Sequence, residues 1–544
     1  MKRFQNWLMC LFVVSSFGMG YAQNTDSDND PGAKDVKIKI NFSSEYENER
    51  KYTSVSYMLK DKEGNIYAIK RGQAMLSKAK NYIEKYTPNL KQVFEKELTV
   101  EGTDGNDLGF INAMSLKGQP YIFGDYYNRE KDRRYLFAIK ISGNGVPGKP
   151  VKIAEFDSEK NAGGFYIKPS KDSSKVLIAS VLPFDKKKEA LEVGFSVLDG
   201  ELKPLWQGKT TIPTEKKWNL FGGTYATTLL DNFTINNSGK VFALIQVPRE
   251  KSSKEKEDSY AFYKLYIFED GAKESKKLTI DLNKKTIYSF ELLESNNPDE
   301  LIGTGTYSEN KKTGWLGLSE NTGTNGTFFF KVNAQTGTVT SRSVNPFSRK
   351  MFEFMRISPE EQQKGEGIDY VKLRNYHISD NNNVLLSLEQ QYLIVTTNTA
   401  GNSTYRTYTY HSEVMFNVKY DPDGKIIYQT FVPKRLAASG TFGMYHILAP
   451  RGERQAIIFN DHRKNTEKKL ADYKDMSTAK PGSDRTVARL VTLDEEGKRK
   501  ISTLFAVKDE DFLLQPDVAF QYAPGVIITM GTHGKNFKLI KIEY

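Results

Sequence analysis

Cysteine is all but missing from this chain. Cys10 is the one example among 544 residues, so disulfides and thiol chemistry are excluded for everything after the first few positions. Cys10 follows Leu8-Met9 and lacks the small residues that precede a lipid-attachment cysteine. Histidine is scarce as well, with five residues scattered along the chain, too few for a clustered metal site. After the N-terminus no apolar run approaches the roughly 18 residues of a membrane-crossing helix, so no transmembrane segment is expected. There is no glycine-rich phosphate loop before a helix, no nucleophile elbow and no Walker pattern. The expectation is a protein with no catalytic residue, no metal and no cofactor. Acidic residues fall short of basic ones, 67 against 78, a net charge of +11. The excess is spread through Lys-rich loops rather than gathered on a stripe. That argues against nucleic acid as a partner and is compatible with an anionic envelope surface or a polysaccharide.

The N-terminus reads as a secretory signal peptide, residues 1–22. Lys2-Arg3 is the basic start, Leu8 to Val14 the apolar core, and Gly20-Tyr21-Ala22 the small-residue cleavage site, with cutting near Ala22. Its removal takes two basic and no acidic residues from +11 and leaves +9. The mature chain is then extracytoplasmic, in the periplasm or at the cell surface. Residues 23–35 form a flexible polar lead-in. Asp26, Asp28 and Asp30 have the spacing of a calcium loop, but Gly32 falls one place late and Lys37 stands where the bidentate Glu belongs.

Aromatic residues make up 12% of the chain, and few windows have helical periodicity, so the class is all-β. One stretch, Tyr376 to Lys434, states the pattern clearly. A strand ends near Ile378, turns through Ser379–Asn383, returns over Val384–Tyr392, and passes a polar loop at Leu393–Tyr410. A third strand at Val414–Tyr420 meets the Asp421-Pro422-Asp423-Gly424 turn and returns as Lys425–Val432. Asx, Pro and Gly between β-rich runs supply the backbone angles a reversal needs. A four-stranded antiparallel meander of this length is one blade of a β-propeller. Similar units recur every 50–75 residues or so, near 53–100, 107–157, 164–213, 230–283, 287–347, 371–434, 444–507 and 516–544. The last unit has three strands, and Val36 to Phe42 (VKIKINF) supplies the fourth. Pairing first strand with last blade removes two exposed edges. The expectation is a single β-propeller domain over 36–544 with eight blades, seven being the fallback.

Loops after the second strand of each unit are long: Pro183–Ala190, Pro248–Ser259, Ser308–Asn325, Leu393–Tyr410 and Lys464–Arg485. So are the connections Pro213–Thr224 and Phe347–Val371, the latter holding a short helix in SRKMFEFMRI with Met351, Phe352 and Met355 in register. In a propeller these two loop classes emerge on one face, which becomes the elaborated, candidate binding face. Second-strand ends bring Arg71, Asp125, Tyr126, Tyr307, Glu389, Tyr392, Asn460, Asp461, His462 and His533 toward it. Tyr307, Glu389, Tyr392, Asn460, Asp461, His462 and His533 are the candidate ligand-binding residues, with Trp315 as an aromatic on which a sugar or peptide would stack. Glu389 with Asp461 has the composition of a glycosidase carboxylate pair, though both residues also suit strand-end capping. His377 and His446, on innermost strands, are placed to face the central channel.

Several stretches together resemble a family of exported Bacteroidota proteins read as propellers. They are Tyr263–Ile267, Ile302–Ser308, Gly326–Gly337, Val384–Tyr392, Pro433-Lys434, Phe459–Asn465 and the closing KNFKLIKIEY. The resemblance spans roughly Tyr225 to Tyr544 and departs at Gln391 and Leu393, where a second Tyr is usual, and at Tyr428, where Trp is common. It implies export, a propeller fold and work at the cell envelope, and carries no activity. The functional expectation is a binding or scaffold propeller whose partner is an envelope protein or a glycan, with peripheral association at the outer membrane allowed. The alternatives are a polysaccharide hydrolase or lyase with an axial site, and an accessory subunit of an outer-membrane secretion or uptake complex.

Overall fold

Period-two strands joined by Asx-Gly turns can bury their apolar residues only by stacking sheet on sheet, and the chain does this eight times. The computed structural model describes residues 29–48, 53–72, 80–103, 105–158, 163–182, 190–213, 233–247, 262–270, 275–283, 285–309, 323–400, 403–466, 470 and 472–544, with the backbone of Met19–Tyr21. Blade 1 is Thr53–Lys60, Ile66–Gly72, Lys80–Tyr86 and Gln92–Glu97. Blade 2 is Gly109–Leu116, Gln119–Asn128, Arg133–Lys140 and Val151–Asp157. Blade 3 is Gly164–Pro169, Lys175–Val181, Ala190–Asp199 and Pro204–Pro213. Blade 4 is Phe233–Ile235, Val241–Val247, Phe262–Phe268 and Lys276–Ile280. Blade 5 is Thr286–Glu294, Glu300–Ser308, Gly326–Asn333 and Thr338–Pro346. Blade 6 is Val371–Ile378, Val384–Ala400, Ser403–Tyr420 and Ile426–Val432. Blade 7 is His446–Arg451, Arg454–His462, Thr486–Leu493 and Arg499–Ala506. Blade 8 is Leu513–Ala523, Val526–His533 and Asn536–Glu543, completed by Lys39–Phe42 from the N-terminus. Every pairing within the blades is antiparallel, and neighbouring strands follow sequence order except where Lys39–Phe42 joins Asn536–Glu543.

The closing strand pairs Ile40 with Ile542 and Phe42 with Ile540. Met19–Tyr21 adds to its outer edge. The lead-in is held rather than loose where it is described: Asp30 forms an ion pair with Arg499 at 3.0 Å, and Asn29 accepts from the Ile501 amide at 2.5 Å. An apolar cluster fills each gap between neighbouring blades. Ile66 and Tyr86 of blade 1 pack on Ile528 and Leu539 of blade 8, which closes the ring. Ile38 and Ile40 sit between blades 7 and 8 with Ile458 and Leu490. Each fully buried aliphatic side chain contributes about 1.5–3 kcal/mol, so the interfaces, not the isolated sheets, carry the stability.

The turn of blade 6 shows why its sequence is what it is. Asp421 Oδ1 accepts from the amides of Asp423 at 3.0 Å and Lys425 at 2.8 Å. Gly424 has φ +82°, and a Cβ there would lie 2.3 Å from the ring of Phe329 in blade 5. Only glycine meets both demands.

One expectation about the loops is corrected. Leu393–Tyr410 is not a loop: the second and third strands of blade 6 run on as a hairpin, paired from Gln391↔Ser412 to Ala400↔Ser403. Its Thr, Val and Tyr content favours strand, and with both faces solvated it has no alternation to reveal it. The Phe347–Val371 connection carries the expected helix in SRKMFEFMRI and a second one after it. Arg349–Phe354 buries Met351, Phe352 and Phe354, and Pro359–Gln363 starts with a reciprocal Ser358–Glu361 capping box. The loops expected at 183–189, 214–224, 248–259 and 310–322 lie outside the described residues. Among the described residues no helix is long and apolar enough to cross a membrane.

Candidate functional site

The hairpin of blade 6 rises from a polar root. Tyr392 and His411 face each other across the two strands, so their rings stack at 4.4 Å, 6° from parallel. Tyr370 extends the stack, 5.0 Å from Tyr392. Glu413 stands two residues beyond His411, on the same face of the strand. Its carboxylate is buried and surrounded by donors: Tyr392 Oη at 3.0 Å, His411 Nδ1 at 3.2 Å, the Tyr473 hydroxyl, and Arg435 Nε at 3.9 Å. Arg435 also lies over the Tyr473 ring at 4.5 Å. Burial, reinforced by Glu413, pushes the Tyr392 hydroxyl up to about 12 and Tyr473 higher still. Both phenols therefore stay protonated and donate. Tyr473 comes from the long loop of blade 7, and its neighbour Asp472 pairs with Arg356 of the helical connection at 3.4 Å. Three long segments thus meet on one face.

Beneath this root lies a second polar cluster whose centre, Glu389 and Lys434, solvent does not reach. Glu389 accepts from Ser412 Oγ at 2.7 Å, from the Lys434 ammonium and from the Gln391 amide. Arg374 Nε stands 3.7 Å away and His446 Nδ1 3.4 Å away. Lys434 has three donors and three acceptors, in Glu389, Ser412 Oγ and the Met444 carbonyl, the complement of an ammonium. Burial alone would raise the Glu389 carboxyl, but Lys434 and His446 outweigh it and hold it well below the usual range. Burial lowers His446, and Glu389 opposes that shift. His446 Nε2 lies 2.9 Å from Ser387 Oγ and 3.3 Å from Asn375 Nδ2, both on blade 6.

The remaining candidates do not converge. Asp461 is buried on Arg489, 2.7 Å from its Nη1, and accepts from the His462 amide and from Asn465, both at 2.8 Å. Asn460 spans blades by donating to the carbonyls of Gly443 and Leu514. His462 Nδ1 accepts from the Lys464 amide at 3.0 Å. His533 is exposed and pairs with Asp511 at 2.9 Å. Tyr307 is buried under Lys285, 5.0 Å over its ring, and burial pushes its hydroxyl up. Asp125 pairs with Arg134, and Tyr126 stacks on Phe137 at 5.9 Å. Trp315 lies outside the described residues. His446 does not face the channel, being turned into the blade 6–blade 7 interface. His377 is half-buried near the turns of the plain face. There Lys171 of blade 3 reaches blade 5, its amide donating to Glu294 and its Nζ to Asn296.

Sequence reasoning missed Glu413, His411, Arg435, Tyr473 and the partnership of Lys434 with Glu389. The His411-x-Glu413 spacing, one face of a strand, was the available signal. Tyr473 and Lys434 join from far along the chain and gave none.

No protein-family model matches the chain, and no curated protein matches it. Solved structures are similar to the chain at low identity and low TM-score. The β-propeller domain of the Trilobed protease from Pyrococcus furiosus is 12% identical, covering 84% of this chain and 94% of that one, with a TM-score of 0.35. Synechocystis apocarotenoid oxygenase is 10% identical over 89% of this chain and 97% of its own, TM-score 0.36. Penicillium chrysogenum α-L-arabinanase, complexed with arabinobiose, is 11% identical over 64% and 93%, TM-score 0.29. At these identities the likeness concerns fold alone. The chain is a β-propeller of eight blades, and the reading of its site rests on the residues above.

Proposed function

We propose that this protein is a non-catalytic propeller that binds an envelope protein through the blade 6 hairpin, as a scaffold or as an accessory subunit of an outer-membrane assembly. One observation carries the reading. The hairpin holds large apolar and aromatic side chains in solvent: Leu393, Ile394, Val395, Tyr405 and Tyr408 are 43–56% exposed. An apolar patch kept in water on a rigid projection is a mark of an interaction surface. Leu436–Ala438 already adds a strand to the root, pairing Tyr410 with Ala438. Beyond it the Ser403–Thr409 edge is unpaired among the described residues and is open to a partner's extended segment.

The hydrolase reading gains nothing from the site, since Glu389 and Asp461 are both buried and spent on cations. A glycosidase pair needs carboxylates that face substrate. Export rests on the basic start, the apolar core and Gly20-Tyr21-Ala22.

The test compares the full chain with one whose residues 394–408 are replaced by a short Asn-Gly turn, each captured from native envelope. The expected result is a stoichiometric envelope protein whose affinity for the truncated form falls at least about tenfold. Recovery of the full chain as a lone monomer, or equal binding by both forms, overturns the proposal.

A further inference from the structure

Beside the hairpin root, the helical connection and the second strand of blade 6 border a pocket of about 240 Å³. Met355, Ile357 and Ile368 give it apolar walls, and Glu366 and Asp369 stand at its rim. Gln390 lines it from below and is 7% exposed. Its amide has a fixed orientation, because Nε2 donates to the Asp369 carbonyl at 3.0 Å. Turning the amide over would set oxygen against oxygen. The other atom, Oε1, is buried and has no hydrogen-bond partner among the described residues. A buried acceptor left unpaired costs about 1–3 kcal/mol, and this one belongs to a side chain lining a cavity.

The charges around the pocket favour one sign of ligand. Burial raises the Asp369 carboxyl, and Glu366 raises it further. Neither acid has an ion-pair partner among the described residues. Arg356 also lines the pocket, but its Nε is engaged by Asp472 at 3.4 Å. Glu361 is spent on the Ser358 amide at 2.7 Å. What remains is an open, mixed pocket in which Met355, Ile357 and Ile368 supply hydrocarbon, Gln390 an unpaired acceptor, and Glu366 and Asp369 two uncompensated carboxylates. Such a pocket suits a hydrocarbon stem that carries N–H donors and positive charge.

We infer that this pocket binds a primary alkylammonium group, either the side chain of a partner's lysine or a small free amine. Gln390 Oε1 accepts one N–H, Asp369 and Glu366 balance the charge, and Met355, Ile357 and Ile368 cover the methylene stem. Four methylenes and an ammonium fit a space of this size. The site is independent of the hairpin reading, because replacing residues 394–408 leaves every one of these residues in place.

The probes are Nα-acetyl-lysine methylamide, 1,5-diaminopentane and the Nε-acetylated lysine amide, titrated calorimetrically into the full chain. Either ammonium is expected to bind at least about tenfold more tightly than the acetylated probe. The lysine amide binding tighter than the diamine identifies a polypeptide source, and the reverse a free amine. Asp369→Asn, a near-isosteric change at the edge of the fold, is expected to weaken the ammonium probes about three- to tenfold. Gln390→Leu is expected to weaken them further. The inference is overturned if the acetylated probe binds as well as the ammonium, if no probe binds at millimolar concentration, or if Asp369→Asn binds like the native chain.

Discussion

Lys434 Nζ lies 2.8 Å from Ser412 Oγ, inside a site that solvent does not reach, and the carboxylate that both address is Glu389. The three residues come from the end of blade 6, its third strand and its second. Lys434→Met strands a buried carboxylate and is expected to cost about 3–5 kcal/mol. The double change Lys434→Met with Glu389→Leu is expected to recover most of that loss, because it removes both charges. Urea unfolding of the three chains checks this. The same cluster sets an acid limit. Lys434 and His446 hold Glu389 below its ordinary value of 4.5, so its contribution is full above pH 4.5 and is lost as pH falls further. The double variant should lack that acid-side loss.

Glu294 and His377 give opposite slopes. Burial raises the Glu294 carboxyl from 4.5 to about 7, against the Lys171 amide. The folded chain holds a proton there that the unfolded chain has released, so stability falls as pH rises from 4.5 to 7. Glu294→Gln should flatten this window and gain about 1–2 kcal/mol at pH 8, once solvent screening of a partly exposed group is allowed for. Burial lowers His377 from 6.5 to about 4, with Lys171 adding to the effect. The folded imidazole stays neutral where the unfolded one is charged, so stability falls as pH drops from 6.5 to 4. His377→Gln should remove that slope. Urea midpoints at acidic, neutral and mildly alkaline pH separate the two.

Removal of residues 1–22 takes away the three-residue edge pairing of Met19–Tyr21 but leaves Lys39–Phe42 in place, so a chain beginning at Gln23 should melt close to the full one. A chain beginning at Ser43 loses the burial of Ile38 and Ile40, on the order of 1.5–3 kcal/mol each. It also bares the edge of Asn536–Glu543 to other chains. A lower melting temperature and rising light scattering are expected for that chain alone. Ile40→Ala should cost about 2–5 kcal/mol without aggregation.

Ile394→Thr and Tyr405→Thr, on the projecting hairpin, should each change stability by no more than about 0.5 kcal/mol, because the side chains are already in water. Under the proposed function both should weaken partner capture. Thermal unfolding and binding measured on the same samples check the pair of outcomes together.

The propeller was readable because its signals are local. Asp421 and Gly424 announce their turn within four residues, and strand period and turn chemistry repeat unit by unit. The short eighth unit and the spare VKIKINF strand completed each other by simple counting. The hairpin of blade 6 escaped because its strands leave both faces in solvent, so they lack the alternation that half-burial writes into a sequence. The site escaped more completely. Asp461 and His462 do lie at a strand end, whereas Glu389 lies inside a strand that runs on to Ala400, and neither position says whether a carboxylate meets substrate, a lysine or an arginine.

The sequence by itself determined eight four-stranded units and the closure by the N-terminal strand, because both follow from backbone preference and apolar period over a few residues. Only the tertiary structure decided which charges are neutralised. Lys434 reaches Glu389 across 45 positions, Tyr473 reaches Glu413 across 60, and Arg489 reaches Asp461 across 28. A buried charge takes its state from whatever the fold sets against it, and those neighbours arrive from other strands and other blades.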